Sequence, residues 1–162
     1  MGDAPDRQTH HGTAIAVDGS AALIIGPSGA GKSDLALRCL ALAPTPLIPA
    51  AAQLVADDRV LITLADGRLR VSPPETIAGR LEVRGVGIVT VPYARSAELV
   101  LIAELAAPQA IDRLPDPPLR RDFLGVSLPV VQIAAFTASA PLKLLLALAG
   151  AAGQSAGDNE AR

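Results

Sequence analysis

The sequence has very few aromatic residues, one cysteine and no excess of positive charge. Aromatic residues make up 2% of its 162 residues, and the formal net charge at pH 7 is −2. Nucleic-acid-binding proteins combine basic surfaces with aromatic rings on which bases stack, so this composition argues against a nucleic-acid partner. Half of the residues are hydrophobic, and with so few aromatics the core must consist of Ala, Val, Leu and Ile.

Long hydrophobic runs are also missing. No apolar run reaches the roughly 18 residues that a membrane span requires, and residues 1–8 are polar and acidic rather than basic and then apolar, as a signal peptide would be. We therefore expect a cytoplasmic protein with no membrane partner. Cys39 lies within a predicted helix, where a buried thiol is favoured over a nucleophile.

The strongest motif is a complete P-loop that reads G-P-S-G-A-G-K-S. It stands between an apolar predicted strand (21–25) and a predicted helix (33–43), which is where a P-loop has to stand. Its glycines let backbone N–H groups surround phosphates, its lysine brings positive charge to the outer phosphates, and its serine offers a hydroxyl to Mg²⁺. A glycine-rich turn that binds nothing is the alternative. The predicted nucleotide-binding residues are Gly26, Pro27, Ser28, Gly29, Ala30, Gly31, Lys32 and Ser33.

Turn signals divide the chain into the elements of one small α/β domain. Asp18-Gly19 and Asp66-Gly67 each separate two alternating runs and predict β-hairpins. Further predicted elements are a buried strand (99–105), a second strand (126–133) and a C-terminal helix (142–149). We expect an N-terminal extension (1–10), a catalytic domain (11–152) and a disordered tail (153–162).

A second motif, L-V-A-D-D-R, places two carboxylates after a short apolar run. P-loop proteins deliver acids to Mg²⁺ or to the attacking group in this way. Because successive strand residues point to opposite faces, we expect only one of Asp57 and Asp58 to face the phosphates. Solvated turn carboxylates are the alternative interpretation.

A third motif, L-E-V-R-G-V-G-I-V at 81–89, contains two closely spaced glycines, Gly85 and Gly87. Glycines at this spacing suggest close backbone approach, and residues two apart on a strand share one face, so Glu82 and Arg84 are expected to lie together. An exposed strand with turn glycines is the alternative.

In this order and spacing, the three motifs resemble the C-terminal catalytic domain of the bacterial HPr kinase/phosphorylase family. His11-Gly12 before the first strand, Asp34 directly after the P-loop, and the third motif, which resembles the family's signature, complete the likeness. The resemblance implies an α/β P-loop kinase domain related to phosphoenolpyruvate carboxykinase, with a mixed β-sheet and flanking helices. It also implies a short form without the family's N-terminal domain, assembled as a homo-oligomer, usually a hexamer.

The activity implied by the resemblance is phosphorylation of a serine on the phosphocarrier protein HPr, with ATP or pyrophosphate as a ligand and Mg²⁺ as cofactor. By position, Asp58 would accept the serine proton, Lys32 and His11 would assist at the phosphates, and Ser33, Glu82 and Asp57 would serve the metal. A solvated histidine near a chain terminus is the alternative for His11.

One departure bears on the reverse reaction, the phosphorolysis of phosphoserine. Where many family members carry a glycine-arginine-asparagine loop with a catalytic arginine, residues 137–143 read T-A-S-A-P-L-K. Lys143 could replace that arginine only in part, since a point charge does not reproduce a bidentate guanidinium. We expect the forward reaction to predominate. Two alternatives stay open: a kinase of the same fold with a different acceptor, and a non-catalytic ATP-binding regulatory module.

Overall fold

The structure is a computed structural model that describes residues 6–160. These residues form eleven strands and two α-helices, with short 3-10 turns at Glu75–Ile77 and Pro108–Ala110. The strands are β1 (Arg7–His11), β2 (Thr13–Val17), β3 (Ser20–Ile25), β4 (Gln53–Ala56), β5 (Arg59–Ala65), β6 (Arg68–Ser72), β7 (Arg80–Val83), β8 (Gly87–Thr90), β9 (Ala97–Leu105), β10 (Arg120–Phe123) and β11 (Val126–Ile133). The helices are α1 (Lys32–Leu40) and α2 (Ala140–Glu160).

Nine of these strands form one mixed sheet in which β9 is central. Its order is β1-β5-β6-β9-β3-β2-β4, with β11 parallel to the far end of β9 and β10 paired to β11. β3 runs parallel to β9, whereas β2, β5 and β6 pair antiparallel with their neighbours. Because β4 also contacts β5 and β6, the sheet curls. β7 and β8 form a separate two-stranded hairpin.

The sheet buries apolar side chains on both faces. Along β3, Ile24 belongs to the cluster that packs under α1 and α2, whereas Leu23 and Ile25 belong to the cluster on the other face. This alternation follows from the two-residue period of a strand. Both hairpins predicted from Asp-Gly turns are present, as are the predicted strands that became β9 and β11.

The P-loop connects β3 to α1, as predicted. Gly29 and Gly31 adopt positive φ angles of 78° and 97°, which only glycine adopts without cost, and Gly31 is the N-cap of α1. The helix is shorter than predicted and ends at Leu40, before the proline-rich connector. Cys39 is fully buried, as expected, and burial raises the pKa of its thiol to about 12.

Strands and helices extend beyond both predicted domain ends. β1 pairs along its whole length with β5, so the sheet begins at Arg7 rather than after residue 10. The tail predicted to be disordered from residue 153 is helical as far as Glu160, the last described residue. Two contacts hold this helix end to the sheet: Ser155 Oγ donates to Glu98 Oε1 at 3.1 Å, and Arg68 donates to the Asn159 side chain.

Neither of the two helices within residues 6–160 is long and apolar enough to span a bilayer.

Candidate functional site

The P-loop, the acidic pair and the tip of the β7–β8 hairpin meet at one cavity of about 380 Å³. Every residue predicted to act in catalysis or metal binding lines it, together with the predicted signature residues Asp34 and Arg84. The predicted lining residues are His11, Ser28, Gly29, Gly31, Lys32, Ser33, Asp34, Asp57, Asp58, Glu82 and Arg84. Three distant segments of sequence are therefore brought to one place.

Asp57 is the buried centre of this arrangement, with 6% of its surface exposed. Its Oδ1 accepts hydrogen bonds from Thr13 Oγ1 at 2.9 Å and from Ser33 Oγ at 2.6 Å. Its Oδ2 accepts the backbone N–H of Glu82 at 3.2 Å. One carboxylate thus ties β2, α1 and β7 together.

Asp58 differs from its neighbour in exposure and in backbone conformation. Its side chain is 70% exposed, and its Oδ1 lies 3.1 Å from His11 Nδ1, so the two side chains are close together at the open side of the cavity. The backbone of Asp58 has a φ of 67°, in the left-handed region that Asp tolerates better than most residues.

The premise that Asp57 and Asp58 lie on a strand was wrong, and the expectation that only one of them faces bound phosphates stays a prediction. β4 ends at Ala56, so Asp57 and Asp58 lie in the following bend, where strand alternation no longer applies. The left-handed conformation of Asp58 turns the chain, and both side chains line the same cavity.

Gly12, the single residue that connects β1 to β2, keeps the neighbouring His11 close to Asp58. The N–H of Gly12 donates to the carbonyl oxygen of Asp58 at 3.1 Å. A Cβ at position 12 would lie 2.8 Å from the carbonyl oxygen of Ile24, so only glycine fits here without a shift of backbone. Gly12 is therefore required by the close approach of the backbone, and His11 contributes the side chain beside Asp58.

Lys32 is buried, with 7% exposure, and its ammonium group lies against the beginning of the P-loop. It donates to the carbonyl oxygens of Gly26 at 2.8 Å and Pro27 at 2.9 Å. Its charge is therefore held at the mouth of the loop, beside the first residues of α1. An anion bound there would also meet the positive end of that helix.

Of the predicted signature residues in the β7–β8 hairpin, some line the cavity and others do not. Glu82 lies in β7, but this strand ends at Val83, so Arg84 stands in the turn rather than on a shared strand face. Both still line the cavity. Gly85 lies in that turn with a φ of 83°, Gly87 begins β8 with a φ of 119°, and neither is among the lining residues.

Sequence reasoning missed four lining residues: Thr13, Leu37, Val83 and Phe136. Thr13 is fully buried and bonds Asp57, yet nothing in its local sequence separates it from a strand threonine. For Phe136, the one feature of the sequence that could have drawn attention to it is the rarity of phenylalanine, since the chain has only two. Lys143, considered as a partial replacement for an arginine, lies on the exposed face of α2 and does not line the cavity.

The hydroxyl and carboxylate oxygen atoms at and around Asp57 are of the kind that binds Mg²⁺. This ion prefers hydroxyl, carboxylate and water oxygens and is usually bound by one or two protein side chains. Ser33 and Asp57 already lie within hydrogen-bond distance of each other, and Glu82 is on the next element that lines the cavity.

The fold and the site define an α/β domain with a P-loop at a strand–helix junction and an acidic pair across from it. The chain belongs to the family described as the HPr serine kinase C-terminal domain, whose model matches residues 4–150. It is 38% identical over 126 residues to an HPr kinase/phosphorylase of Clostridium tetani and 35% identical over 140 residues to one of Acidovorax sp.. These alignments cover 72% and 79% of this chain.

The chain spans about two-fifths of the length of these curated relatives, 39% and 41% respectively. Among solved structures, the HPr(Ser) kinase/phosphatase from Coxiella burnetii superposes with a TM-score of 0.72 at 27% identity. That match covers 94% of this chain and 96% of the other, so the mixed α/β fold predicted from the sequence agrees with an experimentally determined relative.

Proposed function

We propose that this domain transfers the γ-phosphoryl group of ATP to a serine of the phosphocarrier protein HPr. The observation that carries the proposal is the position of Asp58, an exposed carboxylate paired with His11 on the same cavity as Lys32, Ser33 and Asp57. The fold would be the P-loop kinase type related to phosphoenolpyruvate carboxykinase. Assembly into a homo-oligomer, which the resemblance implies is a hexamer, stays a prediction. Sedimentation velocity would test it.

The P-loop would hold the triphosphate. Its backbone N–H groups and the N-terminus of α1 offer donors to the phosphate oxygens. The Lys32 ammonium, now bonded to the Gly26 and Pro27 carbonyls, would exchange these partners for oxygens of the outer phosphates. There it would offset the negative charge that spreads over the transferred group.

Ser33, Asp57 and Glu82 would hold Mg²⁺ at the same phosphates. Bound there, the ion would neutralise charge on the β- and γ-phosphate oxygens. The hydrogen bonds from Thr13 Oγ1 and the Glu82 N–H fix the Asp57 carboxylate, so this ligand would be oriented before metal arrives.

Asp58 would act as the base. Its carboxylate accepts the proton of the serine hydroxyl while the serine oxygen bonds to the γ-phosphorus, and the bond to the bridging oxygen breaks to release ADP. His11 would orient Asp58 through their 3.1 Å contact. In the reverse direction, inorganic phosphate would attack the phosphoserine phosphorus, Asp58 would return the proton to the serine oxygen, and pyrophosphate would leave.

The test is a phosphotransfer assay with the purified chain, HPr, Mg²⁺ and γ-labelled ATP. We expect label on HPr, none on an HPr variant whose acceptor serine is replaced by alanine, and weak release of pyrophosphate from phosphorylated HPr and phosphate. Binding of ATP without transfer to HPr would overturn the proposal. Label that appears on another protein instead would indicate a different acceptor, and no transfer to any protein would favour a regulatory module.

A further inference from the structure

A second cavity, of about 510 Å³, borders the P-loop and has a mostly apolar lining. Pro27 and Ala30 of the loop form part of its wall, Leu105 and Pro108 come from the end of β9 and the turn after it, and Phe136 comes from the segment after β11. Its size falls within the range of about 300–1,000 Å³ that is typical of small-ligand pockets.

Phe136 lines both this apolar cavity and the phosphate cavity, so the two are neighbours across one ring. The ring lies over the end of the P-loop: a Cβ on Gly31 would stand 2.9 Å from Phe136 Cζ. Yet the residue is 75% exposed. A large aromatic ring that contacts the loop backbone and leaves most of its surface open is suited to stack against a flat ligand.

The backbone on each side of Phe136 is fixed by one arginine. Arg38 donates from Nη1 to the Thr137 carbonyl oxygen at 3.4 Å and from Nη2 to the Ala135 carbonyl oxygen. Arg38 is itself held by Asp34, whose Oδ2 lies 3.0 Å from Nε one turn earlier on α1. The ring is therefore positioned relative to the same helix that begins at the P-loop lysine.

We propose that this apolar cavity binds the base of a nucleoside triphosphate, with Phe136 as the stacking residue, so that the chain prefers a nucleotide to a phosphate-only donor. This inference rests on the proposed function, because it takes the P-loop as the triphosphate site. A triphosphate held by the loop must direct its nucleoside to a surface bordering it, and a purine matches an apolar wall with one open aromatic face. Pyrophosphate and tripolyphosphate have nothing to place there.

The experiment compares ATP with Mg²⁺-tripolyphosphate, which has the phosphates and lacks the base, by titration calorimetry. For the wild-type chain we expect ATP to bind at least about tenfold more tightly, as one base stacked on one aromatic ring contributes. Phe136→Ala should remove most of that difference and leave the affinity for tripolyphosphate within about twofold, while Phe136→Tyr should retain it. Leu114→Ala, an exposed apolar residue (86%) outside both cavities, is the control.

Equal weakening of ATP and tripolyphosphate by Phe136→Ala would overturn the inference, because the ring would then support the phosphate site. So would unchanged ATP affinity together with a raised KM for the acceptor protein, which would assign the cavity to an acceptor side chain. The proposed function fails separately: if the wild-type chain binds ATP through its base but transfers no phosphate to HPr, the base site stands and the kinase assignment falls.

Discussion

Ser33 Oγ donates a 2.6 Å hydrogen bond to Asp57 Oδ1, which joins the last residue of the P-loop to the first carboxylate of the acidic pair. These residues are 24 positions apart in sequence, and the bond holds the P-loop and the acidic pair together. The same carboxylate also accepts from Thr13 and from the Glu82 backbone, so its role is structural before any ligand binds.

Replacing Asp57 should therefore cost stability, whereas replacing Asp58 should not. Asp57→Ala leaves the buried Thr13 hydroxyl and two further donors without their acceptor, and an unsatisfied buried group costs about 1–3 kcal/mol. Asp58→Asn changes an exposed side chain and keeps a residue that tolerates the left-handed backbone, so it should change the free energy of unfolding by less than about 0.5 kcal/mol. Urea denaturation followed by circular dichroism measures both. Equal losses in the two variants would contradict the assignment of Asp57 as the buried centre.

Asp58→Asn should abolish phosphoryl transfer while ATP still binds. Loss of a general base typically costs a factor of about 10²–10⁴ in rate, and Asn tolerates the left-handed backbone found at this position. The matched control is Asp66→Asn, since Asp66 is also exposed and also has a positive φ, 52° against 67° at Asp58. Single-turnover rates should fall only in the Asp58 variant. A variant of Asp58 that transfers phosphate at the wild-type rate would remove it from the mechanism.

Lys32→Ala should weaken the binding of ATP by at least about tenfold, because it removes the positive charge proposed to meet the outer phosphates. Lys143 is the only other lysine of the chain and lies on the exposed face of α2, so Lys143→Ala supplies a control with the same change of net charge. Titration calorimetry with ATP measures both. Parallel losses in the two variants would point to a general electrostatic effect rather than to the P-loop.

Cys39 predicts a pH dependence of stability. Burial raises the pKa of its thiol from 9.0 to about 12 in the folded chain, so the unfolded chain loses this proton first as pH rises. The stability that the neutral thiol contributes is complete below pH 9 and is lost as pH rises toward 12. Between pH 8 and pH 10, the wild type should lose about 1 kcal/mol more stability than Cys39→Ala. Identical losses would indicate a thiol that water reaches.

Arg38 offers a test of how the segment around Phe136 is held. Arg38→Met keeps much of the aliphatic stem and removes the donors to the Ala135 and Thr137 carbonyls, so we expect faster amide exchange in residues 134–139 and a loss of about 1–3 kcal/mol of stability. Arg120→Met, which removes bonds to Ser127 within the β10–β11 hairpin, is the control. Unchanged exchange at 134–139 would show that packing alone fixes this segment.

The sequence predicted those parts of the fold that local chemistry determines. The P-loop and the two Asp-Gly hairpins depend on residues within a few positions of one another. The central position of β9 could not be predicted, because its pairing with β3, β6 and β11 depends on residues far apart in the chain. The left-handed turn at Asp58 likewise gave no local signal, and the strand rule consequently failed there.

The part of the candidate site that could be predicted from the sequence consists of residues within the recognised motifs. Residues with recognisable chemistry, such as Lys32 and Asp58, lie where the motifs suggested. Thr13 and Phe136 entered the site through tertiary packing, and neither belongs to a motif read from the sequence. Helix α2 extends past its predicted end because contacts with Arg68 and Glu98 support a stretch whose small and polar residues alone do not predict a helix.

The parallel pairing of β3 with β9 has a consequence for how the domain forms during synthesis. The strand that leads into the P-loop obtains one neighbour at once from β2, but its other neighbour lies beyond residue 96. Contacts between distant segments form slowly, because the intervening chain must first be ordered. The P-loop, the acidic pair and the β7–β8 hairpin are therefore all synthesised before β9, the strand that pairs with β3. Until β9 emerges from the ribosome, the segments that carry the proposed catalytic residues cannot assemble on the complete sheet.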